Sequence, residues 1–144
     1  MKQRVLFLCT GNSCRSQMAE GLTNTLLGGR FEAYSAGTAP QKLNPLAVRA
    51  MKERGIDISG RDSKHVQDLL HLDLDYVVTV CDHAAETCPI FPGRAVVIHH
   101  GFEDPPKLAE GASTEEEAMV HYRRVRDEIE EFVKTLPDTL SDAG

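Results

Sequence analysis

Val5-Leu6-Phe7-Leu8-Cys9-Thr10-Gly11-Asn12-Ser13-Cys14-Arg15-Ser16 decides the fold, because an apolar run passes directly into a Cys-x5-Arg-Ser segment and then into helical periodicity. Four consecutive apolar residues without alternation describe a strand buried on both faces. The loop after it is read as an oxyanion cradle. Its backbone N–H groups, from Thr10 through Ser16, curl inward, the Arg15 guanidinium closes one side, and the next helix adds its positive end. A tetrahedral oxyanion such as phosphate or arsenate suits that ring. The same field predicts a Cys9 thiol with a depressed pKa and a nucleophilic sulfur. Gly11 is expected to take the special backbone angles, Asn12 tolerates the left-handed region, and Ser16 offers a hydroxyl to the sulfur.

Outward from this stretch, Met18, Leu22 and Leu26 form a helical stripe ended by Gly28-Gly29, and Phe31 to Ser35 reads as the next strand of a right-handed βαβ unit. Asn44-Pro45 caps a short helix with Leu46, Ala50 and Met51 inward, ended by Gly55. A further short helix is expected over Ser63 to Leu70, with Val66, Leu69 and Leu70 inward. Asp75 to Val80 is a strand that delivers Cys81 to the carboxyl edge of the sheet, where open α/β sheets bind ligands. Ala95 to Ile98 is another, followed by a loop carrying His99, His100 and Asp104-Pro105. Thr114 and Glu117 open a final helix as a capping box. Its apolar face runs Ala118, Tyr122, Val125, Ile129, Phe132 and Leu136 until Pro137, and its arginines and glutamates are read as a solvated face.

A length of 144 residues and a formal net charge of −6 fit one domain (1–144) with no general affinity for nucleic acid or anionic membrane. Neither a membrane-spanning run nor a secretory signal is found, so a cytoplasmic protein is expected. In a reducing compartment its 4 cysteines point to catalysis, redox exchange or metal binding ahead of a disulfide framework. The cysteine spacings do not give the tight pairs of a structural zinc site, and no cofactor or metal is expected.

At Cys9-Thr10-Gly11-Asn12-Ser13-Cys14-Arg15-Ser16 the chain resembles the low-molecular-weight protein tyrosine phosphatase family. Ser35-Ala36-Gly37-Thr38 and Asp104-Pro105 are similar to that family's later landmarks, so the resemblance spans nearly the whole chain. It implies a three-layer α/β sandwich with a parallel sheet in the order 2-1-3-4, and Asp104 as general acid for the oxygen leaving the oxyanion. Family phosphatases follow Asp-Pro with an aromatic that grips the substrate ring, whereas Pro106 stands here. Cys81-Asp82-His83-Ala84-Ala85-Glu86-Thr87-Cys88 resembles the resolving pair of the family's thioredoxin-coupled arsenate reductases. Were both cysteines helical, seven steps of ~1.5 Å would separate them by about 10 Å, beyond the ~7 Å Cα limit of a disulfide, so bridging them requires unwinding. Cys14 is open to two readings, an oxidation shield for Cys9 or a small residue that fits. Some of these reductases hold potassium with residues corresponding to Asn12, Glu20 and Ser35; Lys64 stands at the position of the remaining ligand, and its ammonium is expected to replace the ion.

The resemblance therefore implies an arsenate reductase in which Cys9 attacks arsenate, Cys81 releases arsenite by attacking Cys9, and Cys88 completes a disulfide reset by thioredoxin or a similar dithiol. Phosphate and sulfate would compete for the ring, and the protein would act as a monomer. The alternatives are a phosphatase working through a Cys9 phospho-enzyme and a cysteine redox sensor.

Overall fold

The computed structural model describes residues 2–87 and 95–143. Its elements run β1 (Gln3–Cys9), α1 (Arg15–Leu26), β2 (Phe31–Gly37), α2 (Pro45–Lys52), β3 (Tyr76–Thr79), α3 (Asp82–Thr87), β4 (Val96–His99), α4 (Pro105–Leu108), α5 (Glu115–Lys134) and α6 (Leu136–Ala143). The four strands are all parallel, in the order β2-β1-β3-β4. This is the expected three-layer sandwich. Val5, Leu6, Phe7 and Leu8 are each 0% exposed, which requires cover on both faces of the central strand and explains their unbroken apolar run. Burial of each such side chain contributes about 1.5–3 kcal/mol, so β1 anchors the sheet on which the loop is mounted.

The helices form where capping and periodicity agree. Asn44 Oδ1 accepts from the N–H groups of Leu46 (2.8 Å) and Ala47 (3.3 Å), Pro45 fills the first turn, and Ala47, Ala50 and Met51 are buried. Thr114 caps α5 through the Glu117 N–H at 3.2 Å, and the Glu117 carboxylate returns to the Ser113 N–H at 2.8 Å. Among the described residues no helix is long and apolar enough to cross a membrane.

Four expectations need correction. Leu26 is 46% exposed and Leu27 packs on the core in its place, because α1 ends there and Leu27 leaves the helical stripe. The helix expected over Ser63 to Leu70 shrinks to a 3-10 turn at Val66–Leu69. The residues ahead of it are extended, with Gly37 N–H bonded to the Lys64 carbonyl and Gly37 bridged to His65. α5 ends at Lys134, and Leu136 and Pro137 lie in the first turn of α6, where a proline lacks only an N–H that needs no helical partner. Finally, the polar face of α5 is not simply solvated: Arg126 is 6% exposed and donates to the Ala50 carbonyl and the Glu53 carboxylate, both at 2.9 Å. Arg123–Glu53, Arg54–Asp127 and Arg49–Glu116 extend this belt of ion pairs between the two helices and the turn after α2.

Candidate active site

The loop between β1 and α1 closes around the Cys9 sulfur. The Asn12 N–H donates to Cys9 Sγ at 3.2 Å, and Ser16 Oγ lies 2.8 Å from the same sulfur. Asn12 Nδ2 also donates to Ser16 Oγ at 2.8 Å, which occupies that oxygen as an acceptor and directs its own proton toward the sulfur. Asn12, with φ of 50°, is the left-handed non-glycine among the described residues. Gly11, expected to carry the unusual angles, has no positive φ; its neighbour does that work because its side chain is held on several sides. Gly37, at the end of β2, is needed for a different reason. A Cβ there would stand 2.4 Å from the Thr10 carbonyl oxygen and 2.9 Å from Asn12 N, so only glycine lets the loop lie this close.

Cys9, Thr10, Gly11, Ser13 and Cys14 line a cavity of about 260 Å³ together with Arg15, Gln41, Asp104 and Pro106. Arg15 is held by its Nη1 on the Phe102 carbonyl at 3.0 Å, while Nη2 stands 3.6 Å from Asp104 Oδ1. The general-acid candidate and the guanidinium thus face one space, although they are far apart in sequence. Pro106 lines the mouth and brings no aromatic ring to it. The first turn of α1 has no acidic residue, leaving its positive end free to act on an anion.

Burial is the largest influence on Cys9 and pushes its thiol above the ordinary range. The Ser16 hydroxyl, the N–H groups of Ser16 and Asn12, and the Arg15 charge pull it down. The depressed value expected from the sequence is therefore overturned by desolvation, which the count of donors left out. Cys14 is pushed up further, first by burial and then by Asp104 and Cys9, which makes it the poorer nucleophile of the two.

Cys81 arrives beside this loop through sheet register. Leu8 pairs with Thr79, the Val80 N–H bonds the Leu8 carbonyl at 2.9 Å, and the next residue on each strand carries a thiol or leads to one. Thr10 Oγ1 lies 3.3 Å from Cys81 Sγ, and the Ala84 N–H donates to the same sulfur at 3.4 Å. The sulfur thus sits at the N-terminus of α3. Cys9, Cys14 and Cys81 are all free and buried. Cys88 lies outside the described residues.

Lys64 donates its main-chain N–H to Asn12 Oδ1 at 2.8 Å, while its ammonium meets the Asp62 carbonyl at 3.1 Å. The cation that pairs with Glu20 is Arg61, and Ser35 Oγ donates to the other Glu20 oxygen at 3.0 Å. The sequence carries no local signal for Arg61, Gln41 or the Phe102 carbonyl in these places. His99 bridges Thr79 Oγ1 (2.8 Å) and Asp82 Oδ1 (3.0 Å), and His100 stacks on Phe132 with centroids 4.2 Å apart. Neither faces the sulfur through a hydrogen bond.

The description of the low molecular weight phosphotyrosine protein phosphatases matches residues 4–143. The arsenate reductase of Halalkalibacterium halodurans is 51% identical over 138 residues, covering 96% of this chain and 97% of that one. That of Bacillus subtilis is 47% identical over 135 residues, 94% and 95% of the two chains. Among solved structures, an arsenate reductase in a phosphate-binding state superposes with a TM-score of 0.79 at 30% identity, covering 99% of both chains. A low molecular weight protein tyrosine phosphatase from T. tengcongensis gives 0.70 at 29% identity, with 96% of this chain and 99% of the other covered. With the loop, the sheet order and the match from residue 4 to residue 143 in agreement, the chain belongs to the low molecular weight phosphotyrosine protein phosphatase family.

Proposed function

We propose that the protein is an arsenate reductase working through Cys9, Cys81 and Cys88, with a dithiol protein of the thioredoxin kind as reductant. The observation that carries this reading is the second buried thiol, Cys81, hydrogen-bonded to Thr10 directly beside the nucleophile. Arsenate is held by the loop N–H groups and Arg15. The Cys9 sulfur bonds to arsenic as its thiol proton passes to an arsenate oxygen. The departing hydroxyl takes a proton from Asp104 and leaves as water. Cys81 sulfur then attacks Cys9 sulfur. The electron pair of the breaking S–As bond stays on arsenic, which falls from the +5 to the +3 state and leaves as arsenite. Cys88 attacks Cys81, frees Cys9, and the resulting disulfide passes to the external dithiol.

The names of the relatives support the substrate, and the small polar cavity supports it too, because an inorganic oxyanion fits about 260 Å³ without an aromatic grip. A phosphatase reading is favoured by one observation, the Asp104 carboxylate facing Arg15, which hydrolysis of a phospho-enzyme would also use. The deciding experiment compares arsenate-dependent oxidation of thioredoxin with hydrolysis of an aryl phosphate. Sustained arsenate-dependent turnover is expected. Hydrolysis without it would make the protein a phosphatase, and neither activity, with disulfide formation under peroxide, would make it a redox sensor.

A further inference from the structure

Four consecutive residues, Arg61 to Lys64, each touch the back of the loop or the helix that follows it. Arg61 pairs with Glu20, the Asp62 carbonyl accepts from Gln17 Nε2 at 3.2 Å, and the Lys64 N–H donates to Asn12 Oδ1 at 2.8 Å. Ser63 does something different. Its Oγ donates to the Asn12 main-chain carbonyl at 2.8 Å, a side chain reaching across 51 residues of sequence to a backbone oxygen.

That carbonyl belongs to the residue with φ of 50°. A left-handed asparagine persists only when its surroundings over-determine it. The Asn12 side chain is held by Ser16, Gln17 and the Lys64 N–H, which fixes where the amide points but not how the peptide after it is turned. Ser63 supplies that remaining constraint. The constraint has a chemical address, because the Asn12 N–H is one of the donors on Cys9 Sγ, at 3.2 Å, and is among the groups that lower the thiol's pKa.

We propose that Ser63 is a positioning residue for the nucleophile: its hydroxyl holds the Asn12 carbonyl and with it the left-handed Asn12 backbone, which, with the preceding peptide fixed by the Gln41 N–H on the Gly11 carbonyl at 2.8 Å, keeps the Asn12 N–H aimed at the Cys9 sulfur. Ser63 touches neither the cavity nor the oxyanion and acts through Asn12 alone. The inference rests on Cys9 as the nucleophile and is indifferent to whether arsenate or a phosphate ester is attacked.

The test is the pH dependence of Cys9 alkylation by iodoacetamide in the full chain, read by mass spectrometry of the Cys9 peptide. In Ser63→Ala the midpoint should rise by about one pH unit, equivalent to roughly tenfold less thiolate at a given pH. The kcat for arsenate should fall about tenfold with KM changed less than about twofold, since the oxyanion contacts are intact. Ser63→Thr, which keeps the hydroxyl, should restore both. An unshifted midpoint in folded Ser63→Ala, or an equal shift in Ser63→Thr, overturns the proposal. If Ser63→Ala does not fold, Ser63→Cys, a weaker donor of similar size, makes the same comparison. Because alkylation is read without arsenate, the outcome stands whether or not the reductase reading survives.

Discussion

Replacing Thr10 by Val isolates the second chemical step from the first. The change removes one hydroxyl and keeps the volume, and the loop N–H of residue 10 remains available to the oxyanion. What is lost is the contact between Thr10 Oγ1 and Cys81 Sγ at 3.3 Å, leaving the Ala84 N–H at 3.4 Å as the donor on that sulfur. A hydrogen bond of this kind contributes about 0.5–1.5 kcal/mol, so attack by Cys81 should slow by roughly 2- to 13-fold. Attack by Cys9 should change little, because its own donors are Ser16 and Asn12. Rapid-quench measurement of the Cys9–Cys81 disulfide after mixing with arsenate reads the second step, and hydrolysis of an aryl phosphate reads the first. A loss of both activities in equal proportion would show that Thr10 serves the ring and not the resolving thiol, and the step order built on that contact would fall.

Other expectations follow from neighbouring contacts. Cys88→Ser should release about one arsenite per molecule and stall with Cys9 bonded to Cys81, while hydrolysis is spared; steady thioredoxin-driven turnover would eliminate Cys88 from the relay. Arg61→Gln leaves the Glu20 carboxylate without its guanidinium beside Ser35, so added potassium should raise the Tm of that variant and barely affect the parent, an outcome that equal responses would contradict. Glu53 is held down from 4.5 to about 2, chiefly by Arg123 and also by Arg126. Its folded-state pKa is depressed, so the stability it contributes is present above pH 4.5 and is lost as pH falls toward about 2. Thermal melts across that window should show the fall, and Glu53→Gln should flatten it; a parallel curve for the variant would place the acid sensitivity elsewhere.

How far the chain could be read depended on how local each feature is. Strand β1, the loop and the start of α1 are contiguous, so Val5 to Ser16 show their roles in order; the alternation of strand and helix gives the layered α/β class, while the order 2-1-3-4 comes from the family resemblance. The Asn44 and Thr114 caps are equally local. Features made by distant main chain were silent: nothing in Phe102 signals that its carbonyl will hold Arg15, and nothing in Ser63 signals Asn12. Lys64 stands at the position the resemblance points to, yet Arg61 reaches Glu20, because a position in sequence does not give the direction in which a long side chain reaches. The Leu26 error is one of phase, a single residue at the point where a helix ends. The thiol of Cys9 was misjudged for a physical reason, since hydrogen-bond donors can be counted along a sequence and desolvation cannot.

The placement of the loop near the start of the chain carries a consequence for assembly. Arg15 takes its orientation from a carbonyl 87 residues later, and Thr10 meets its sulfur partner 71 residues later. Contacts of such sequence separation form late, after loop closure across most of the chain. The loop from Cys9 to Ser16, though contiguous in sequence, is therefore among the last parts of the fold to be completed. Until the segment through Asp104 has docked, Arg15 lacks the Phe102 carbonyl that orients it and Cys9 lacks the burial that pushes its thiol up, so the ring around the sulfur takes shape only with the completed sheet.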